Sequence, residues 1–446
     1  MEKNLTTGSV FKTIIYFALP YLLSYFLQTL YGMADLFITG QFNGVDGITS
    51  VSNGSQVMYM LTVIIVGLAM GATVTIGRAV GAGKLDNAEV AIGNTITLFM
   101  VIAIVITGIL LCSVGNIISL IGIPAEAVHG TRRYLTICFI GIPFITAYNI
   151  ISSIFRGLGD SKSPMYFIGI ACAANILLDY LFIGFFHMGP AGAALGTTLA
   201  QTLSVLIAFI IIRKKQTGIH LKKEHFYPDR KVMREVLKIG IPVAVQDGCI
   251  QVAFMIITVI ANHRGLSDAA AVGIVEKVIS ALFIVPSSML ATVSALSAQN
   301  IGAGKHDRAA KTLRYATFLT SGYGIIISLI VEAIAGFILH LFTKDAMVIL
   351  LGTQYIRGYI WDTIFAGIHF SFSGYFCAYG KSYIGFIHNI LAIVFVRVPG
   401  SYFASKMFAN TLFPMGLAAP AGSLLSVIIC ICAYLWLKKR GEVAGV

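Results

Sequence analysis

The chain alternates long apolar stretches with short polar connections over its 446 residues. An α-helix needs about 20 apolar residues to cross the hydrocarbon core of a bilayer. Twelve stretches of that kind lie near 14–38, 55–78, 91–115, 133–157, 163–186, 191–213, 236–260, 271–297, 313–340, 350–377, 384–405 and 415–437. They are continuous rather than alternating, which selects transmembrane helices over a β-barrel. The first is too long for the apolar core of a cleavable signal peptide and lacks a small-residue cleavage site. One long polar connection, Arg213 to Lys238, falls between the sixth and seventh stretches. It divides the chain into an N-terminal half, 1–213, a linker, 214–235, and a C-terminal half, 236–446.

The halves repeat one another. Gly81-Ala82-Gly83-Lys84 recurs as Gly302-Ala303-Gly304-Lys305, 221 positions later. Pro20 matches Pro242 at an offset of 222, and Gly159 and Ser161 match Gly380 and Ser382 at 221. Met188-Gly189 returns as Met415-Gly416 at 227. Six spans per half is an even number, so both halves enter the membrane from the same side. The expected fold is an all-α integral membrane protein of twelve transmembrane helices in two parallel-repeat six-helix lobes.

Composition agrees with this pattern: 57% of residues are hydrophobic, 11% are charged, and the mean hydropathy is +0.86. The net charge of +12 comes from dispersed basic residues, which argues against a nucleic-acid partner and for membrane topology. The N-terminus, the even-numbered connections and the C-terminus together carry 23 of the 31 lysines and arginines. Only Arg132, Arg133, Arg264, Lys344 and Lys406 belong to the opposite side. Both termini are therefore expected in the cytoplasm, with the protein in the cell membrane. Seven cysteines without a CxxC pair read as buried free thiols.

Ionisable residues in hydrocarbon are costly and need a partner or a function. Asp35, Asp179, Asp247, Glu276, Lys277, Glu332, Arg357, Asp362 and Arg397 fall within the apolar runs. Asp35, Asp179 and Thr197 share the outer leaflet by depth, and Asn175 lies one turn before Asp179 on the same face. Such a cluster can hold Na⁺ through oxygen ligands. It can also hold a proton, because burial and mutual repulsion favour a protonated carboxylate. Separate hydrogen-bonded polar residues would give the same depth pattern. Asp362 and Arg397, on the tenth and eleventh runs, read as a neutralising ion pair. Glu276 either faces the interior as a site for cationic substrate or has a structural partner. Asp247, in Gln246-Asp247-Gly248, is a further candidate to line a cavity. The glycine phrases lack the full GxxxxGK[ST] spacing and the strand-turn-helix context of a nucleotide-binding loop, so ATP hydrolysis is not expected.

Taken together, these residues resemble the multidrug and toxic compound extrusion family. The carriers of the resemblance are Pro20 and Asp35, the glycine-rich approach to Gly81–Lys84, and the run Gln299-Asn300-Ile301-Gly302-Ala303-Gly304-Lys305. Asn175-x-x-x-Asp179 and the Gly-Pro-Ala-Gly-Ala-Ala run from Gly189 complete it. The resemblance covers nearly the whole chain. It implies two six-helix lobes around a central cleft and export of bulky, often cationic drug-like compounds in exchange for H⁺ or Na⁺, with no other cofactor. It implies that Asp35, Asn175, Asp179 and Thr197 form the coupling site, with Pro20 as a hinge in the first helix. Glu276, Asp247 and Asp362 remain candidates for the substrate cleft. Some branches carry a glutamate in the seventh run where this chain reads Ile250-Gln251, which places it nearer the prokaryotic branch that relies on the N-terminal lobe. A monomer surrounded by membrane lipid is expected. The alternative is a flippase for lipid-linked saccharides, which would be expected to carry more basic residues within the membrane than Lys277, Arg357 and Arg397.

Overall fold

The computed structural model describes residues 5–214 and 219–443, without the side chains of Arg213 and Lys214. Lys3, Lys215 and the 215–218 stretch of the linker lie outside the described residues. Every regular element among the described residues is helical. The first six spans are α1 (Val10–Phe42), α2 (Val45–Gly81), α3 (Leu85–Ile121), α4 (Ala125–Leu158), α5 (Lys162–Asp179) and α6 (Pro190–Lys214). Asp179 leads directly into a π-helical turn, Tyr180–Phe185. The remainder comprises α7 (Arg230–Asn262), α8 (Leu266–Leu282), α9 (Ile284–Gly302), α10 (His306–His340), α11 (Ala346–Tyr359) and α12 (Asp362–Ala378). It ends with α13 (Ser382–Ala392), a π turn Ile393–Arg397, α14 (Val398–Met407) and α15 (Phe413–Lys439).

Eleven of these stretches are individually long and apolar enough to cross a membrane, α8 with α9 and α13 with α14 each counting as one. The expected tenth span is divided at Ile360–Trp361 into α11 and α12, of 14 and 17 residues. Ile360 keeps its carbonyl paired there: the Ser328 hydroxyl donates to it at 3.1 Å and the Thr363 hydroxyl at 2.8 Å. A second break separates α8 from α9. Pro286 has no N–H for the Leu282 carbonyl, four residues back, and the Tyr323 hydroxyl donates to that oxygen at 3.0 Å instead. Within a bilayer such substitutes matter, since water is not there to take a freed carbonyl.

The glycine phrases are turns, and the two copies match in detail. Gly83 and Gly304 both have φ of +71°, the left-handed conformation that glycine adopts without steric cost. Lys84 N–H reaches back to the Ala79 carbonyl at 3.1 Å, and Lys305 N–H to that of Asn300 at 2.8 Å. This closure caps the preceding helix and starts the next one.

The chain divides into two compact units. Among the described residues, one comprises Leu19–Gly240 and the other Leu5–Ala18 with Ile241–Val443. Both boundaries fall beside the repeated prolines, Pro20 and Pro242, and both prolines lie inside their helices. The start of α1 thus buries Val10, Ile14 and Phe17 among Met289, Leu313 and Tyr434 of the second unit. In the first unit, Ile38, Val51, Leu135, Phe139 and Ile183 form a core cluster that also reaches the start of α6 through Ala193 and Ala194. The described part of the linker is fastened to α3: Asn94 accepts from the Asp229 N–H at 2.7 Å and donates to the His225 carbonyl at 3.2 Å.

Candidate functional site

Five helices of the first unit place polar groups around Asp35. Asp35 lies on α1, in register with Tyr31 and Thr39 one turn to either side, so all three share a face. Asn175 and Asp179 have the same i,i+4 relation on α5, and Thr197 and Gln201 on α6. Tyr134 and Cys138 of α4 are also within electrostatic reach of Asp35, and the Tyr134 hydroxyl is 3.0 Å from Ser55 Oγ on α2.

The four residues singled out from sequence come together. Thr197 Oγ1 donates to Asp35 Oδ2 at 3.0 Å, and Asp179 and Asn175 neighbour the same carboxylate. Asp35, Asn175 and Asp179 are 3%, 2% and 0% exposed, so water does not solvate them. Asp35 Oδ1, both oxygens of Asp179, and Oδ1 and Nδ2 of Asn175 are buried with no hydrogen-bond partner. Neither carboxylate has a lysine or arginine ion pair among the described residues. An ionised carboxylate shut away from water without a counter-ion is costly. Two of them side by side therefore favour a proton or a cation between them. Oxygen donors of this kind suit a hard cation such as Na⁺. Equally, one protonated carboxyl could donate to an oxygen that now lacks a partner. Among the described residues no group of three or more His, Cys, Asp and Glu side chains is placed to hold a metal ion.

Gly196 makes the arrangement possible. A Cβ there would lie 2.2 Å from Asp179 Oδ1 and 3.6 Å from Asn175 Nδ2. The carboxylate thus occupies the space that any side chain at this position would take. Gly196, Gln201, Tyr31 and Tyr134 were not among the residues expected from sequence. Tyr31 and Gln201 could have been found as i±4 neighbours of Asp35 and Thr197. Gly196 could not, because only the packing of α5 against α6 shows what it faces.

The second-unit candidates separate. Glu276 on α8 accepts from the Thr258 hydroxyl at 3.1 Å through Oε2. Its other oxygen is buried without a partner. Asp362, at the start of α12, is 0% exposed and 3.9 Å from the Arg397 guanidinium. Arg397 also donates to the Tyr359 hydroxyl and lies 5.0 Å over the Phe254 ring. The expected Asp362–Arg397 pair is therefore present, and Glu276 belongs to the same charged neighbourhood. Asp247 stands apart, half-buried on α7 with no hydrogen bond or ion pair among the described residues. Glu332 and Arg357, unreadable from sequence, face one another at 3.6 Å, both partly exposed.

A family model, MatE, matches residues 20–181 and again 242–403, two blocks displaced by 222 positions at both ends. The chain belongs to the MatE family. It is a transporter of the multidrug efflux class and not an enzyme. It is 25% identical over 441 residues to a probable multidrug resistance protein, YoeA, of Bacillus subtilis, covering 97% of this chain and 95% of that one. It is 24% identical to the multidrug export protein MepA of Staphylococcus haemolyticus, covering 96% and 92%. Among solved structures, a MATE in the straight conformation superposes with a TM-score of 0.89 at 20% identity, covering 98% of this chain and 97% of that one. A MATE in the bent conformation gives 0.90 at 20% identity, covering 98% and 96%. These likenesses extend over the whole MATE fold of this multi-pass membrane protein.

Proposed function

We propose that this transporter is an antiporter, exporting bulky organic, often cationic compounds in exchange for H⁺ or Na⁺ by alternating access. Asp35, Asn175, Asp179 and Thr197 are its coupling site. The observation that carries this reading is the buried carboxylate pair Asp35 and Asp179, three of whose four oxygens accept no hydrogen bond. With no ion bound, the two carboxylates repel each other in a medium that screens poorly. A proton or Na⁺ removes that repulsion and draws α1 and α5 together at this point.

Pro20 is the hinge in this proposal. Proline has no N–H for the helix ladder and its ring crowds the preceding turn, so α1 bends most readily where the chain passes from one compact unit to the other. Movement at Asp35 is then transmitted along the rigid part of α1 from Leu19 onward. The halves 1–213 and 236–446 would act as the two lobes, joined by the linker 214–235. The basic connections would face the cytoplasm, with both termini, in the cell membrane. The names of the relatives YoeA and MepA support drug-like substrates.

The test is dye efflux from proteoliposomes under an imposed pH gradient and, separately, an imposed Na⁺ gradient. One of the two should drive efflux, and Asp35→Asn or Asp179→Asn should abolish it while the protein still inserts. Full activity in both variants would sink the coupling site. Efflux under neither gradient would favour a flippase for lipid-linked saccharides.

A further inference from the structure

The polar interior of the second unit is built at positions that repeat those of the first, with different charges. At the offset of 221 shared by the glycine turns, Ser55 corresponds to Glu276, Tyr134 to Tyr355 and Cys138 to Tyr359. Within the eleventh apolar run, the π turn Ile393–Arg397 carries one residue more than an α turn. It moves the offset to 222, and Arg397 then corresponds to Asn175. The packing agrees. Gly422 faces Arg397, with a Cβ position 3.4 Å from that of the arginine, as Gly196 faces Asn175 and Asp179. Ser423 follows Gly422 as Thr197 follows Gly196, and lies beside Asp362.

The charges are complementary to this difference. The first unit holds two carboxylates, Asp35 and Asp179, and no basic partner among the described residues. Around Arg397 the second holds two, Glu276 and Asp362, with Arg397 between Asp362, the Tyr359 hydroxyl and the Phe254 ring; Asp247 stands apart from this group, and Glu332 has Arg357 as its own partner. One monovalent cation bound in the first unit leaves one negative charge. The second unit already has that charge state, because the guanidinium is part of the chain.

We propose that Arg397 is a tethered cation: it occupies in the second lobe the place that the transported ion takes in the first, and so limits the protein to one coupling cation per cycle. Arg397 is a positioning and specificity residue in this scheme, since it sets how many ions the transporter can use. A guanidinium keeps its proton at any physiological pH, so this lobe cannot release its charge as the first lobe can. The proposal rests on coupling at the Asp35 cluster.

The experiment measures cations bound per purified protein, and cations moved per dye from the reversal potential in proteoliposomes. Wild type should give one. Arg397→Asn, which installs the first-lobe residue, should raise both numbers to two; Arg397→Lys should keep them at one. Arg397→Asn combined with Asp362→Asn removes a charge of each sign and should return to one. A folded Arg397→Asn protein that still uses one cation overturns the proposal, as does Arg397→Lys using two. Should Arg397→Asn not fold, Asp35→Asn with Asp179→Asn leaves the second lobe native. It should bind no cation, and binding of one there overturns the tethered-cation role. Absence of coupled transport in wild type would instead overturn the function proposed above.

Discussion

The two polar interiors differ in how their negative charge is answered. Around Asp35 the chain supplies oxygens and no cation; around Asp362 it supplies Arg397. The backbone devices that position these groups are shared. Both units turn on a left-handed glycine before a lysine, interrupt a helix with proline, and set a glycine of the last span against the span before it. A duplicated frame can thus be kept while its ionisable groups diverge, because packing constrains volume and backbone conformation more tightly than charge. One interior can then exchange its counter-ion with the medium while the other carries its own.

The sharpest way to break this comparison is to fill the paired glycines. Gly196→Ala puts a methyl group 2.2 Å from Asp179 Oδ1, closer than any real contact, so the carboxylate must move or α5 and α6 must part. Overpacking of this kind costs roughly 1–3 kcal/mol. If it falls on ion binding, affinity for the coupling cation drops about 10- to 100-fold. Gly422→Ala meets its nearest atom at 3.4 Å, an ordinary contact, and should leave affinity almost unchanged. Cation titration of dye efflux reads both. Equal effects would mean that the two interiors share the coupling task.

Much of this frame was legible in the sequence. Apolar run length marked the spans, and the spacing of GAGK, Pro20 and Pro242 marked the repeat. Asn175-x-x-x-Asp179 placed two site residues on one face. What was not legible depended on contacts between helices. The tenth run looks continuous, since nothing local marks the break at Ile360; the carbonyl is taken up by Ser328, 32 residues away in sequence. Similarly, Arg397 could be paired with Asp362 on order alone, but its match to Asn175 needs the extra residue of a π turn, which leaves no trace in hydropathy. Gly196 is one of 45 glycines until Asp179 is seen against it.

A smaller effect is expected from the paired prolines. Pro20→Ala supplies the backbone N–H that proline lacks and removes the ring clash, favouring a straight α1 by up to ~3 kcal/mol. Efflux should slow by about tenfold if bending limits the cycle and about half of that energy reaches its barrier. Pro242→Ala makes the same change in α7, where Ile257 stands at the position matching Asp35 and no ion pulls on the helix. It should slow efflux less. A Pro242→Ala defect as large as that of Pro20→Ala would place a second moving element in the C-terminal half.

The smallest difference lies at the turns after the fourth span and its repeat. In Gly159-Asp160-Ser161-Lys162, Asp160 accepts from the Lys162 and Ser163 N–H groups at 2.9 and 3.0 Å, and so caps α5. In the second copy that position is Lys381, which cannot accept, and its ammonium pairs instead with Glu442 beyond the end of α15. Asp160→Ala should cost about 1 kcal/mol of stability, the usual value of a lost cap. Glu442→Gln should cost much less, because the pair is open to water. Its effect has a definite pH signature. The hydrogen bond from Lys381, followed by the nearby positive charge of Lys381 and Arg440, holds the Glu442 carboxyl below its ordinary value. The stabilisation is therefore complete above the usual carboxylate range of about 4.3 and fades as pH falls through the lower folded value. Melting of wild type and Glu442→Gln in detergent should differ slightly at neutral pH and converge in acid. A difference that persisted in acid would mean that Glu442 holds the C-terminal segment by packing rather than by charge.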